Sequence, residues 1–129
     1  MKNFNRLHNC TNKYQGDAKR VLCVCSAGLL RSPTMAVVLA SEPYNFNTRA
    51  VGIDDGHALI PMDEVHICWA DEIIFVSKAV ARTADSIFRD DVAFADTKKI
   101  TLDIPDQFEY RNPTLIQAIK DQYDDSQKD

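Results

Sequence analysis

Four apolar runs of strand length, each followed by a stretch with helical period, constrain this 129-residue chain more than any other feature of it. Arg20-Val-Leu-Cys-Val-Cys25 is a short and nearly continuous apolar run, as expected of a strand covered on both faces. Thr48 to Ile53 is a weaker candidate, whereas Glu72 to Ser77 and Lys98 to Ile104 are rich in β-branched residues. Four helices fit between and after these runs. Ser32-Pro33 reads as N-cap and first helical residue of one that carries Met35, Ala36, Val38 and Leu39. Pro61 reads as opening a second, with Met62, Val65, Cys68 and Trp69 inward. Ser77 caps a third with Val80, Ala84, Ile87 and Phe88 inward, and Asn112-Pro113 opens a fourth with Leu115, Ile116, Ile119 and Tyr123. The order βαβαβαβα implies right-handed crossovers and a four-stranded parallel sheet with helices on both faces. Ligands of such sheets bind beyond the carboxyl ends of the strands, and the first strand ends at Cys25.

The segment that follows is Cys25-Ser26-Ala27-Gly28-Leu29-Leu30-Arg31-Ser32-Pro33. It places a cysteine at a strand end, an arginine six residues on, and a proline-initiated helix behind both. A loop wrapped at a helix N-terminus points several backbone N–H groups inward and forms a nest for a tetrahedral oxyanion. Gly28 lets the backbone curl around that anion. Arg31 offers a planar fork able to pair two phosphate oxygens at once. Amides, helix dipole and Arg31 all favour thiolate over thiol at Cys25, and Ser32 is placed to donate a hydrogen bond to the sulfur. A stabilised thiolate beneath a bound phosphate is a nucleophile aimed at phosphorus.

Val24 to Thr34 resembles the phosphate-binding loop of the low-molecular-weight protein tyrosine phosphatases, in which the cysteine directly follows the first strand. Trp69 to Ser77 also resembles the approach to that family's third strand, and the resemblance extends over about residues 20 to 123. It implies a flavodoxin-like three-layer α/β sandwich and a phosphomonoester hydrolase working through a cysteinyl-phosphate, without metal or other cofactor. Cys25 is then the nucleophile. The backbone of Ser26, Ala27, Gly28, Leu29, Leu30 and Arg31 binds phosphate, helped by the Arg31 side chain, and Ser32 assists the thiolate. The family's general acid is an Asp on a loop after the last strand. Asp103 sits within the strand pattern and Asp106 in the loop just after Pro105, so Asp106 is favoured and Asp103 remains the alternative. Phe108 or Tyr110 would line the slot for the leaving group. The chain departs from the family at Gly28, where Asn is usual, and at Leu30, where many members carry a second cysteine. It also lacks an aromatic residue in Asp54-Asp55-Gly56-His57.

Composition narrows the remaining classes. A chain of this length holds one domain; residues 1–19 read as a polar arm, 20–124 as the α/β domain and 125–129 as a charged tail. The stretch from Asp121 onward is expected to fray. Fifteen Lys and Arg against nineteen Asp and Glu leave a net charge of −4, which argues against a nucleic-acid partner held by bulk phosphate attraction. No segment approaches the roughly 18 apolar residues of a membrane span, and the N-terminus has no apolar signal core. A cytoplasmic location with free thiols at Cys10, Cys23, Cys25 and Cys68 is expected. Cys23 and Cys68 read as core thiols and Trp69 as a core residue. His8, His57 and His66 show no metal-ligand spacing and read as surface or packing residues. The expected partner is a phosphorylated protein or a small phosphomonoester, with the oligomeric state left open. Two alternatives stand beside hydrolysis: arsenate reduction on the same fold, which wants further cysteines late in the chain, and a non-catalytic phosphate-binding module.

Overall fold

A computed structural model describes residues 18–26, 31–54, 58, 60–104 and 113–127, with Arg31 described by its backbone alone. Nine elements follow in chain order: β1 (Arg20–Cys25), α1 (Arg31–Ala40), β2 (Asn47–Gly52), α2 (Glu64–Trp69), β3 (Glu72–Phe75), α3 (Lys78–Phe88), α4 (Val92–Asp96), β4 (Lys98–Thr101) and α5 (Pro113–Ser126). The strands form one parallel sheet in the order β2-β1-β3-β4. Helix α1 packs on β1 and β2 and meets α5, while α2 packs on β1 and meets α4, and α3 lies on β3. The expected flavodoxin-like α/β sandwich is therefore the observed fold.

The apolar run of β1 explains why it is central. Val21, Leu22, Cys23 and Val24 are wholly buried, because both faces and both edges of the strand are covered. Each such aliphatic side chain contributes about 1.5–3 kcal/mol relative to exposure. β2 is an edge strand and its middle residues are only half-buried, which is why its sequence signal is weak. The chain moves outward from β1 to β2 and then crosses back to β3 on the other side of β1. The switch point of this sheet thus lies between the carboxyl ends of β1 and β3.

The structure corrects several expectations. Ser32 is not an N-cap: it is the second residue of α1, and its hydroxyl is buried among other partners. Pro61 does not open α2. It forms a parallel bridge with Gly52, and Met62 N–H donates to Gly52 O at 3.0 Å, so the chain stays extended there. The helix starts one turn later, behind a capping box in which Asp63 accepts from His66 N–H and His66 Nδ1 accepts from Asp63 N–H. That shift turns His66, Ile67 and Trp69 inward and leaves Val65 and Cys68 exposed, so Cys68 is not a core thiol. Ile87 is also outside the core, because the inward stripe of α3 runs through Val80, Ala84 and Phe88 at four-residue steps.

Helix α4 is additional to the four helices the sequence predicts; Asp91 caps it and Phe94 packs on Phe75 and Phe88. β4 ends at Thr101 rather than Ile104. The chain beyond it nevertheless stays bonded to the β3 side, with Leu102 N–H donating to Phe75 O and Ile104 N–H to Val76 O. At the C-terminus α5 does not fray at Asp121 but runs to Ser126. There Tyr44 donates to Asp124 at 2.7 Å, and buried Tyr123 anchors the helix.

Candidate active site at the carboxyl end of β1

Cys25 is the last residue of the central strand, and its side chain is almost fully buried. Two backbone bonds fix its position from the β2 side. Ile53 N–H donates to Cys25 O, and Asp54 N–H donates to Ser26 O, both at 2.8 Å. On the β3 side, Val76 N–H donates to Val24 O at 3.0 Å. The residue is thus held from both flanks at the switch point.

The first turn of α1 returns to the sulfur. Ser32 Oγ lies 3.1 Å from Cys25 Sγ and 3.2 Å from Val51 O, and Ser32 is wholly buried. The hydroxyl has one proton and Val51 O can only accept. A neutral Cys25 therefore fits the order S–H to Ser32 Oγ and Ser32 O–H to Val51 O. A thiolate reverses it, because the sulfur then only accepts and the hydroxyl turns to it. One buried hydroxyl serves both protonation states of the sulfur without leaving it unpartnered. The spacing C-x5-R-S carried the Cys25–Ser32 pairing; nothing in the sequence marked Val51, whose contribution is a backbone carbonyl.

Cys23, two residues earlier in the same strand, differs sharply. It is fully enclosed, and burial, reinforced by the charges of Cys25 and Glu72, pushes its thiol far above the ordinary cysteine value. It stays a neutral core thiol, as its position in a doubly covered strand implies.

Of the other residues singled out in the sequence, Ser26 is exposed beside Cys25 and α1 begins at Arg31. Ala27, Gly28, Leu29 and Leu30 lie outside the described residues, as do Asp106, Phe108, Tyr110, Cys10, His8 and His57. Asp103 is exposed, and its backbone faces α5: its N–H donates to Gln122 Oε1 at 2.6 Å and its carbonyl accepts from Gln122 Nε2 at 2.9 Å. It follows the outer strand β4, two strand spacings or about 10 Å from β1. Among the described residues no group of three or more His, Cys, Asp or Glu is placed to hold a metal ion, and no helix is long and apolar enough to cross a membrane.

Solved structures share this architecture. Wzb of Vibrio vulnificus, in complex with benzylphosphonate, aligns with a TM-score of 0.62 at 17% identity, covering 84% of this chain and 94% of its own. The YwlE arginine phosphatase from Geobacillus stearothermophilus aligns with a TM-score of 0.57 at 19% identity, covering 84% and 95%. A YwlE mutant from Bacillus subtilis does so with a TM-score of 0.57 at 19% identity, covering 84% and 90%. The likeness is one of fold. No protein-family model matches the sequence, and no curated protein matches it.

Proposed function

We propose that this protein is a cysteine-dependent phosphomonoester hydrolase of the low-molecular-weight protein tyrosine phosphatase type. The observation that carries the reading is the sulfur of Cys25 at the switch point, 3.1 Å from a buried hydroxyl in the first turn of α1. The C-x5-R-S-P sequence supports it. So does a fold shared with an arginine phosphatase and with a protein solved in complex with benzylphosphonate.

In this mechanism the thiolate of Cys25 attacks phosphorus in line with the ester oxygen. Asp106 protonates that oxygen as the P–O bond breaks. The amides of Ser26 to Arg31 and the Arg31 guanidinium hold the three equatorial oxygens as charge spreads over them. Water, deprotonated by Asp106, then attacks the cysteinyl-phosphate. The P–S bond breaks, and the Ser32 hydroxyl turns to the departing thiolate. Asp106 is preferred to Asp103, whose backbone is clamped to Gln122 of α5.

Phe108 or Tyr110 flanks the leaving group in this reading. Substrates are phosphorylated proteins or small phosphomonoesters. No nucleic-acid partner is included, in keeping with the net charge of −4. The reading also includes a cytoplasmic location, since a thiolate nucleophile needs a reducing compartment. A disulfide relay, as in arsenate reduction, is disfavoured because Cys23 is fully enclosed and no cysteine follows Cys68.

The test is hydrolysis of a small aryl phosphate in the presence of a chelator. Wild type is expected to turn over, and Cys25→Ser to lose about 10⁴-fold or more in kcat. Activity that survives Cys25→Ser would sink the mechanism, and so would loss of activity on chelation. An inactive wild type that still binds phosphate would favour a binding module.

A further inference from the structure

The site described above recognises a phosphate, which every phosphomonoester carries. Discrimination among substrates has to come from surfaces beyond the loop, through binding energy remote from phosphorus. One such surface adjoins the site. A groove of 490 Å³ opens where β2 ends, walled by the β2–α2 connection on one side and the end of α3 on the other. Gly52, at its head, stands opposite Cys25 in the sheet register, and Ile53 bonds through its N–H to the carbonyl of Cys25. An extended chain rises about 3.3 Å per residue, so the neighbours of a phosphorylated residue seated at Cys25 come within reach of the groove.

Its lining is apolar below and acidic at the rim. Ile53, Met62 and Phe88 show a small part of their surface there, and Ile87, 56% exposed, forms the lip from α3. That exposure is what the helical period of α3 did not foretell. Among the described residues, the charged members of the lining are Asp63 and Glu64, with no Lys or Arg. The Asp63 carboxylate is half-exposed even while it caps α2. Glu64 is exposed and its carboxylate makes no ion pair or hydrogen bond among the described residues.

We infer that this groove docks a polypeptide segment of the substrate in which an apolar side chain stands beside a Lys or Arg. The apolar side chain fills the floor between Met62, Ile87 and Phe88. The cation meets Asp63 and Glu64 at the rim, where a charge pair governs selection and encounter more than raw affinity. A like-charged, acidic flank is repelled at the same place. The inference deepens the phosphatase reading and rests on it for its substrate.

The experiment uses two phosphopeptides with the same phosphorylated residue, one flanked by Leu and Arg and the other by Ser and Glu, with a small aryl phosphate as third substrate. Wild type should prefer the Leu/Arg peptide by about tenfold or more in kcat/KM, as expected when an apolar contact and a charge pair are both gained. Glu64→Lys and Ile87→Ser, at exposed positions that the fold tolerates, should collapse that preference while aryl phosphate turnover stays within about twofold of wild type. Equal kcat/KM for the two peptides, or a preference untouched by both variants, overturns the inference. If the aryl phosphate is not hydrolysed, the phosphatase reading fails separately. Fluorescence anisotropy of the same labelled peptides then decides the groove, and equal affinities refute it. Self-association abolished by Ile87→Ser would assign the groove to a second copy of the chain, which also refutes it.

Discussion

The two ends of β1 handle charge in opposite ways. At the amino end the charges are matched internally. Glu72 is 1% exposed, yet its Oε1 accepts from Tyr123 at 3.1 Å and lies 3.4 Å from Lys19 Nζ, while Lys98 Nζ is 3.2 Å from Oε2. Lys19 also donates to Tyr123 and sits over the ring of Phe46, and Arg20 forks onto Asp71. At the carboxyl end Cys25 and Ser32 meet each other and backbone groups. A buried carboxylate needs fixed cations to offset its desolvation. A phosphate site needs the reverse, dipoles and donors held ready for a charge that the substrate brings. On the proposed function, the same strand carries an end built for stability and an end built for chemistry. Substitutions at the two ends should separate those properties.

The largest effect belongs to the carboxyl end. Asp106→Asn should lower kcat for an aryl phosphate by about 100-fold or more, against less than about threefold for Asp103→Asn, with urea midpoints close to wild type. A larger loss at Asp103 would move the acid onto the β4 edge. At the amino end the expectation inverts. Glu72→Gln keeps an acceptor for Tyr123 but gives up both lysines. These are partly exposed and can return to water, so the loss of unfolding free energy is about 1–2 kcal/mol. Urea titration measures it, and kcat should not change. A drop in kcat without a drop in stability would mean that the two ends are coupled.

The smallest effect is at Asp71. The hydrogen bond from Arg20, opposed by a smaller cost of burial, holds its carboxyl below the usual carboxylate range. A lowered folded-state value means the stabilisation is complete above the unfolded value of about 3.9 and is lost as pH falls through the lowered one. Because the pair is well exposed to solvent, Asp71→Asn should cost only roughly 0.5 kcal/mol near neutral pH and nothing at a pH low enough to protonate the carboxyl in the folded state. Unfolding curves at both pH values check the sign.

The same contrast governs what the sequence discloses. The carboxyl end was legible because its signals are local: an uninterrupted apolar run, a cysteine at its end, a glycine, an arginine and a proline within nine residues. The amino end was not. Glu72 opens an apolar run with nothing beside it to mark it as buried; its burial depends on Lys19, Lys98 and Tyr123, brought together from across the chain. The start of α2 failed for a related reason. Pro61 is a sound helix opener in isolation, but its bridge to Gly52 held it in extended chain. The Asp63-x-x-His66 spacing was the local signal that would have corrected it. Ser32 satisfied the N-cap pattern while its hydroxyl was committed to Cys25 and Val51. The partner of Asp103, Gln122, lies nineteen residues away on α5 and left no trace in either segment.

The central claim is that Cys25 carries the phosphoryl group during turnover. Rapid acid quench of wild type mixed with an aryl phosphate, followed by mass spectrometry of its peptides, tests that directly. Phosphate on the sulfur of Cys25, forming and decaying within the turnover time and absent in Cys25→Ser, is the predicted result. Turnover that continues with no phosphoenzyme, or with phosphate on another side chain, would contradict the account.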